Sequence, residues 1–382
     1  MGDGQSGDAD NSVSGRISVF IPVYRNSDLL EDLLEELVSD PYWNREIFIV
    51  VDEPAEEVFE IVERFHEKVH FILNNTRKGK VEALNEAVKL SSGEILVFID
   101  ADVWLGKCEN FLETIALEMK ETDILDIKKK ILKDSFLSKM VNYEFVGSNF
   151  SSYLYSKLVK KCFAVGGTAF AIKREAFEEV GGFAKVISED LDLAVKAFLR
   201  NRRFKFADKI EVYTKAPSNW RCWLVQRKRW GIGTGVWIKT HGGKVVKYIA
   251  RYPYIAFPCA LMLFPTVALM LLNYLCCIFP DIQLFSFIPR VLASQLNISS
   301  ASLLYLSPKM ASILFTALTN LFLGFIVFSM IFYAASKKLR FRFNLAEFVV
   351  YYFFYQPISF LVLLAGIISG LLFKNHRLDW KV

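Results

Sequence analysis

Cysteine is scarce in this sequence and is never spaced as a metal ligand pair. The 382 residues include six cysteines and no Cys-x-x-Cys pair, and Cys259, Cys276 and Cys277 lie inside one apolar run. Zinc sites and disulfide frameworks both depend on cysteines at recurring spacings. The sequence therefore predicts neither.

Two glycine-rich phosphate-binding motifs are missing where they would be needed. The first predicted strand runs into Pro22-Val-Tyr-Arg-Asn26, with no Gly-x-Gly-x-x-Gly turn after it, and no Gly-x-x-x-x-Gly-Lys-Ser/Thr occurs. These motifs hold the phosphates of dinucleotides and of ATP. A dinucleotide-dependent dehydrogenase and a phosphate-loop ATPase thus lose their main support.

Acidic residues are almost absent from the second half of the chain. Residues 212–382 contain only Asp281, Glu347 and Asp379 against 18 Lys and Arg, whereas residues 1–211 hold the other 38 acids. The same half contains three apolar runs, 252–279, 310–335 and 345–373. Each exceeds the roughly 20 residues that cross a bilayer as a helix. We interpret the basic residues as flanking a membrane, and this interpretation argues against nucleic-acid binding.

Strands and helices alternate in the first half, which predicts an α/β domain. Apolar runs typical of buried strands alternate with helical patterns between residues 17 and 99. Short alternation of this kind predicts a parallel sheet. Ser27 is expected to cap the first helix. No secretory signal is recognisable before this domain, so we expect it in the cytoplasm.

Two carboxylates follow the most apolar strand, residues 95–99. Asp100 and Asp102 are two positions apart, and side chains so spaced on a strand point the same way. Ligands of open α/β sheets bind at the carboxyl ends of strands, and a hard cation prefers oxygen ligands. Asp-x-Asp is therefore compatible with a divalent metal site, but a solvated strand end predicts the same two residues, and the rest of the chain must decide between them.

Beyond residue 107 the pattern is less regular. We predict a strand at 123–132, an amphipathic helix at 136–161 and a strand pair at 162–172 around Gly166 and Gly167. Ser188 is expected to cap a helix with three acids in its first turn, which suits the helix dipole whatever their function. Residues 219–237 bring four tryptophans together with basic residues, a composition typical of a membrane surface.

A set of short motifs appears in a characteristic order. They are Ile21-Pro-Val-Tyr-Arg-Asn26, a strand ending in Asp52, Arg77-Lys-Gly-Lys-Val-Glu-Ala-Leu-Asn85, Asp100-Ala-Asp102, Gly166-Gly-Thr168, Ser188-Glu-Asp190 and Gln226-Arg-Lys-Arg-Trp230. The set resembles the family 2 glycosyltransferases of the GT-A fold, specifically the membrane-integrated branch with cellulose, chitin and hyaluronan synthases. The resemblance covers about residues 16–230.

The resemblance implies a donor site for a nucleotide sugar. Asp52 would bind the uracil or ribose, although Glu53-Pro54 replaces the small residues usual after it. A magnesium or manganese ion would sit on Asp102 and Asp100 against the diphosphate. The residues expected to bind the donor nucleotide are Pro22, Tyr24, Asp52, Arg77, Lys80, Asp100 and Arg229.

The resemblance also implies an acceptor site and a general base. Asp190 would take the proton of the acceptor hydroxyl, and Trp230 would stack on the acceptor sugar. The residues expected around the acceptor are Gly167, Thr168, Glu189, Gln226 and Trp230.

Together these observations predict four segments. They are a disordered tail (1–15), a GT-A domain with a mostly parallel sheet (16–215), an interfacial amphipathic segment (216–251) and an α-helical transmembrane domain of about three spans (252–382). Residues 284–306 would be interfacial or re-entrant. The expected function is inverting transfer from a UDP-sugar to a polysaccharide at the cytoplasmic face of the cell membrane. A polyprenyl-phosphate or other lipid acceptor, and a non-catalytic nucleotide-sugar-binding scaffold, are the alternatives, and a homo-oligomer is compatible with so few spans.

Overall fold

A computed structural model describes residues 15–106, 108–132, 135–254 and 308–373. Residues 1–14 of the predicted tail, nearly all of the first apolar run, the segment 284–306 and the last nine residues lie outside these ranges. The architecture below concerns the described residues.

The described residues before position 252 form eight strands and eight helices. The strands are β1 (Ile17–Tyr24), β2 (Arg45–Asp52), β3 (His70–Asn74), β4 (Ile95–Ile99), β5 (Val103–Trp104), β6 (Ile124–Leu132), β7 (Ala169–Lys173) and β8 (Phe204–Lys215). The helices are α1 (Leu30–Ser39), α2 (Glu56–Phe65), α3 (Lys80–Leu90), α4 (Phe111–Met119), α5 (Phe136–Leu158), α6 (Arg174–Glu179), α7 (Glu189–Leu199) and α8 (Trp220–Arg251).

All eight strands form one mixed sheet in the order β3-β2-β1-β4-β7-β6-β8-β5. The first four strands along the chain that alternate with helices are parallel, as predicted. Strand β7 then runs antiparallel to both of its neighbours, β4 and β6, and β5 runs antiparallel to β8. Only four of the seven pairings are parallel, so the expectation of a mostly parallel sheet holds for one half of it.

Alternating side chains give the sheet a separate apolar core on each face. On β1, Ile17, Val19 and Ile21 pack toward α1, α2 and α4, while Phe20 packs on the opposite face toward α3, α6 and α7. A row of phenylalanine rings crosses this second face from strand to strand, with centroids 5.2–5.5 Å apart: Phe48, Phe20, Phe98 and Phe170. The two cores fix the sheet edge at which β1, β2 and β4 end.

Three local predictions were wrong. Helix α1 begins at Leu30 with Leu29, and not Ser27, at the N-cap position, and the Ser27 hydroxyl instead donates to the carbonyl of Ala101, 2.8 Å away. Ser188 is at the N-cap position of α7, but its side chain makes no capping hydrogen bond. Residues 162–172 form no strand pair: only β7 is a strand, and the segment before it is an irregular loop.

Helices follow the sheet domain in the described part of the second half. They are α9 (Pro308–Leu339), α10 (Leu345–Val350), a π-helical turn (Tyr351–Tyr355) and α11 (Gln356–Leu372). Aromatic side chains of α5, α8, α9 and α10 form a third core there. Among the described residues, one continuous helical stretch, Leu345–Leu372, is long and apolar enough to cross a membrane. It coincides with the third predicted span, and the second lies on α9.

Helices α8 and α11 meet backbone to backbone. A Cβ added at Gly231 would lie 2.9 Å from Cα of Gly366, and one added at Gly235 would lie 3.0 Å from Cα of Gly370. Each helix thus presents a Gly-x-x-x-Gly pair, and the pairs match in the same chain direction. Small residues at this spacing allow two helices to approach closely. The apolar stretch is thereby held directly against the helix with the Gln-x-x-Arg-Trp motif.

Candidate active site

One cavity of about 1190 Å³ opens at the carboxyl ends of β1, β2 and β4 and is bounded on its far side by α8. All fourteen predicted site residues line it: Pro22, Tyr24, Asp52, Arg77, Lys80, Asp100, Asp102, Gly167, Thr168, Glu189, Asp190, Gln226, Arg229 and Trp230. Side chains separated by up to about 200 positions in the chain therefore share one space. Their individual roles remain predictions.

Asp52 organises one end of the cavity. It is the last residue of β2 and accepts hydrogen bonds from Asn74 Nδ2 (3.0 Å) and from the backbone N–H of Gly79 (2.7 Å). These bonds draw the loop before α3 over the sheet edge. Helix α3 begins just after Gly79, so its first N–H groups and its positive dipole end lie at the cavity, where an anion is favoured.

Tyr24 and Arg77 form an aromatic and cationic wall beside Asp52. The Arg77 guanidinium lies 4.5 Å from the centroid of the Tyr24 ring. Glu53 adopts a left-handed conformation (φ 51°), and its carboxylate accepts a hydrogen bond from the Tyr24 hydroxyl, 3.1 Å away. The unusual Glu53-Pro54 pair therefore turns the chain back toward Tyr24 and leaves Asp52 directed inward.

Lys80 links the strand carboxylates to helix α7. Its Nζ lies 2.8 Å from Asp100 Oδ1 and 3.2 Å from Glu189 Oε1. Burial acts to lower the pKa of Lys80, but the two carboxylates outweigh it and raise that pKa above its usual value. Lys80 is therefore a permanent cation at the centre of the site.

Asp100 and Asp102 bring two interacting carboxylates together just after β4. The Asp102 side chain lines the cavity. Desolvation by the surrounding protein, and then the negative charge of Asp100, raise the pKa of its carboxyl group to about 6. A divalent cation between the two carboxylates would relieve this repulsion. No cluster of three or more His, Cys, Asp or Glu suited to a metal exists among the described residues. Two carboxylates nevertheless fit Mg²⁺ or Mn²⁺, because such ions take most of their other ligands from phosphate and water.

Asp190 lies against the glycine loop. Its Oδ2 accepts a hydrogen bond from the Gly167 N–H (2.9 Å), and its Oδ1 accepts one from the Leu191 N–H (2.8 Å). A Cβ at position 167 would lie 2.7 Å from Asp190 Oδ2, so a glycine is needed for this contact. Burial and then the charge of Glu189 raise the pKa of Asp190 to about 6. The carboxylate is thus ionised at neutral pH and more basic than an ordinary aspartate.

Comparison with known proteins shows which family the first part of the chain matches. The model described as "Glycosyl transferase family 2" matches residues 18–181, which include Asp52, Lys80, Asp100 and Gly167. This part of the chain is a family 2 glycosyltransferase domain.

Curated relatives of the glycosyltransferase domain are bacterial. The chain is 26% identical over 249 residues to the probable glycosyltransferase YdaM of Bacillus subtilis. The aligned region covers 62% of this chain and 58% of YdaM. The chain is 24% identical over 222 residues to poly-beta-1,6-N-acetyl-D-glucosamine synthase of Staphylococcus aureus, covering 57% and 54%. The chain thus spans little more than half the length of these relatives.

A solved structure shares the fold. It is mannosyltransferase PcManGT from Pyrobaculum calidifontis in complex with GDP-Man and Mn2+, with a TM-score of 0.57 and 17% identity over 94% of this chain and 88% of that one. At this identity the likeness concerns the fold alone, and it supports a GT-A-type domain.

Helix α8 closes the cavity with a buried charge network that the sequence did not reveal. Arg227, between the predicted Gln226 and Arg229, is fully buried, donates to Glu144 of α5 and lies 4.1 Å from the centroid of Trp230. Glu144 also accepts a hydrogen bond from Ser359 of α11, 2.7 Å away. Sequence did offer one signal, because Glu144 is the single acid in the Phe- and Tyr-rich helix α5.

Proposed function

We propose that the chain is a membrane-bound, metal-dependent, inverting glycosyltransferase that moves a sugar from a UDP-sugar to a growing polysaccharide at the cytoplasmic face. One observation carries the proposal. A single cavity contains the Asp100–Asp102 pair, the basic carboxylate Asp190 and the Trp230 ring. Inverting transfer needs these groups around one donor and one acceptor.

The chemistry follows from the positions of the carboxylates. The acceptor hydroxyl attacks the anomeric carbon, Asp190 takes its proton, and a new carbon–oxygen bond forms as the bond to the diphosphate oxygen breaks. The electron pair of that broken bond leaves with the nucleoside diphosphate. A divalent cation held by Asp100 and Asp102 would supply Lewis acidity to the diphosphate. Lys80 and Arg229 also line the cavity and carry positive charge there.

The donor is proposed to be a UDP-sugar. Support comes from Asp52, which is buried at the end of β2 and faces the cavity beside the Tyr24–Arg77 wall. Further support comes from the relatives, which include a poly-beta-1,6-N-acetyl-D-glucosamine synthase. UDP-N-acetylglucosamine is thus the first donor to test.

The acceptor divides the proposal into two candidates. A growing polysaccharide is favoured by Trp230, which keeps 39% of its surface exposed at the cavity and can stack on a sugar ring. A lipid-linked acceptor is favoured by a different observation: the cavity continues along Phe360, Leu363 and Ile367 of α11, which offer an apolar wall. The two candidates share donor, metal and base.

The test begins with nucleotide release by purified protein in detergent, using Mn²⁺ or Mg²⁺ and a panel of UDP- and GDP-sugars. We expect release with UDP-sugars and none with Asp190→Asn. Products made from labelled donor are then separated by chromatography. A ladder of sizes supports a polysaccharide, and one extractable labelled lipid supports the second candidate. Release from no member of the panel would contradict the proposal.

A further inference from the structure

Helix α8 touches the active-site helix α7 through three residues on one stripe. Gly233, Trp237 and His241 are four positions apart, so they lie on the same face of α8. A Cβ at Gly233 would overlap the Ser188 hydroxyl, which brings the helix against the N-cap of α7. Gly231 and Gly235 are on the opposite side, against α11. Helix α8 therefore packs against the apolar stretch on one face and against the start of α7 on the other.

Two side chains of this stripe hold the first turn of α7 directly. Trp237 Nε1 donates to the carbonyl of Leu191, 3.2 Å away. His241 Nε2 lies 3.0 Å from Asp192 Oδ1 and donates to it, and both side chains are buried. Asp192 forms an ion pair with Lys196 through its other oxygen, Oδ2, so that Oδ1 is left for His241. Asp190 lies between Ser188 and Asp192, in the turn that Trp237 and His241 contact.

Trp237 also holds the loop that faces Asp190. Its indole stacks on Phe163, with ring centroids 5.8 Å apart and planes 29° apart. Phe163 begins the irregular segment that ends in Gly166 and Gly167. One tryptophan therefore contacts both segments that are joined by the hydrogen bond from Gly167 N–H to Asp190.

We propose that Trp237 and His241 are positioning residues for Asp190, which set the separation between the first turn of α7 and the Gly167 loop from one stripe of α8. The inference rests on the proposed role of Asp190 as the base. Neither residue need touch the donor or acceptor, because each acts through the backbone or through Asp192. A displacement of about 1 Å in a catalytic group is enough to slow an enzyme about a hundredfold.

Kinetics on the full chain in detergent distinguish positioning from a general structural role. The variants are Trp237→Leu, Trp237→Phe, His241→Ala and His241→Gln, with Thr240→Ala as matched control, because Thr240 is exposed on the same helix. With Mn²⁺ and UDP-N-acetylglucosamine, or the donor found above, we expect kcat to fall about 10- to 100-fold in Trp237→Leu and His241→Ala. The donor KM should stay within about twofold, and His241→Gln should recover most of kcat by restoring a donor to Asp192.

A second measurement needs no turnover. Amide hydrogen exchange on the ligand-free protein reports whether the Gly167 loop and the first turn of α7 stay closed. Exchange of the peptides covering 163–168 and 188–192 should be at least about tenfold faster in Trp237→Leu and His241→Ala, and unchanged in Thr240→Ala. Unchanged exchange in the two variants, or a donor KM that rises as much as kcat falls, would overturn the inference. Normal turnover by Asp190→Asn would instead overturn the proposed base, and the exchange result would still decide whether α8 holds the two segments together.

Discussion

Sugar transfer should slow about tenfold when the pH is lowered from 7 to 5, because Asp190 must be ionised to accept the acceptor proton. Burial and Glu189 raise the pKa of Asp190 to about 6. With that value about 90% of the carboxylate is ionised at pH 7 and about 10% at pH 5. The rate should therefore decline toward acid with a slope of one on a logarithmic plot, with its midpoint near pH 6.

The assay must separate Asp190 from Asp102, whose pKa is also raised to about 6. Turnover is measured as UDP release at saturating Mn²⁺ at every pH, and kcat/KM is followed because this ratio reports the pKa values of the ligand-free enzyme. A bound cation keeps its carboxylate ligands ionised. Under these conditions the acid side of the kcat/KM profile reports the base, and the metal dependence of donor binding reports Asp102.

Two variants test the cause of this pH dependence. Glu189→Gln removes the neighbouring negative charge, so the midpoint should move to lower pH. Asp190→Asn should lose about 10²- to 10⁴-fold in kcat at pH 7, which is the usual contribution of a general base. It should also lose the acid limb of the profile. A profile that is flat between pH 5 and 7 in the unmodified protein, or an acid limb that persists in Asp190→Asn, would refute the assignment.

Three further predictions concern the metal, the acceptor and the helix contact. Asp102→Ala should weaken UDP binding in the presence of Mn²⁺ and leave metal-free binding unchanged in calorimetric titrations; equal affinity with Mn²⁺ would exclude Asp102 as a ligand. Trp230→Ala should raise the acceptor KM and shorten any polymer at an unchanged donor KM, whereas a normal product distribution would argue against stacking. Gly366→Leu should lower the thermal unfolding midpoint by several degrees because its side chain meets the α8 backbone. Gly243→Ala is the control: it adds a Cβ in open space on α8 and should stabilise by about 0.5–1 kcal/mol, and a loss of stability there would invalidate the comparison.

The half of the sheet formed by β1 to β4 was predictable because its information is local. Strands β1 and β2 are mostly apolar and end in Tyr24 and Asp52, and the wholly apolar β4 is followed directly by Asp100. Short helical crossovers leave little choice but parallel strands. Asp52 and Asp100 could therefore be placed at one edge before any coordinates were known.

The other half depends on pairings between distant residues. Strand β7 is as apolar as a parallel strand would be, and nothing within Ala169–Lys173 indicates that it runs antiparallel between β4 and β6. Ser27 is a residue type that often caps helices, yet its hydroxyl donates a hydrogen bond to the carbonyl of a residue 74 positions away. The same limit applies to Arg227 and Glu144, which are 83 positions apart. Local patterns identify such residues as polar but cannot name their partners.

The glycine contact between α8 and α11 restricts how related chains can diverge in length. A single-residue insertion between Gly231 and Gly235 would rotate the rest of α8 by about 100° and replace a bare backbone with a side chain at the crossing. Homologous sequences that keep this crossing should therefore tolerate insertions and deletions between the two helices but not inside either Gly-x-x-x-Gly pair. An alignment in which one pair has drifted while the other is intact would indicate a different helix arrangement in that relative.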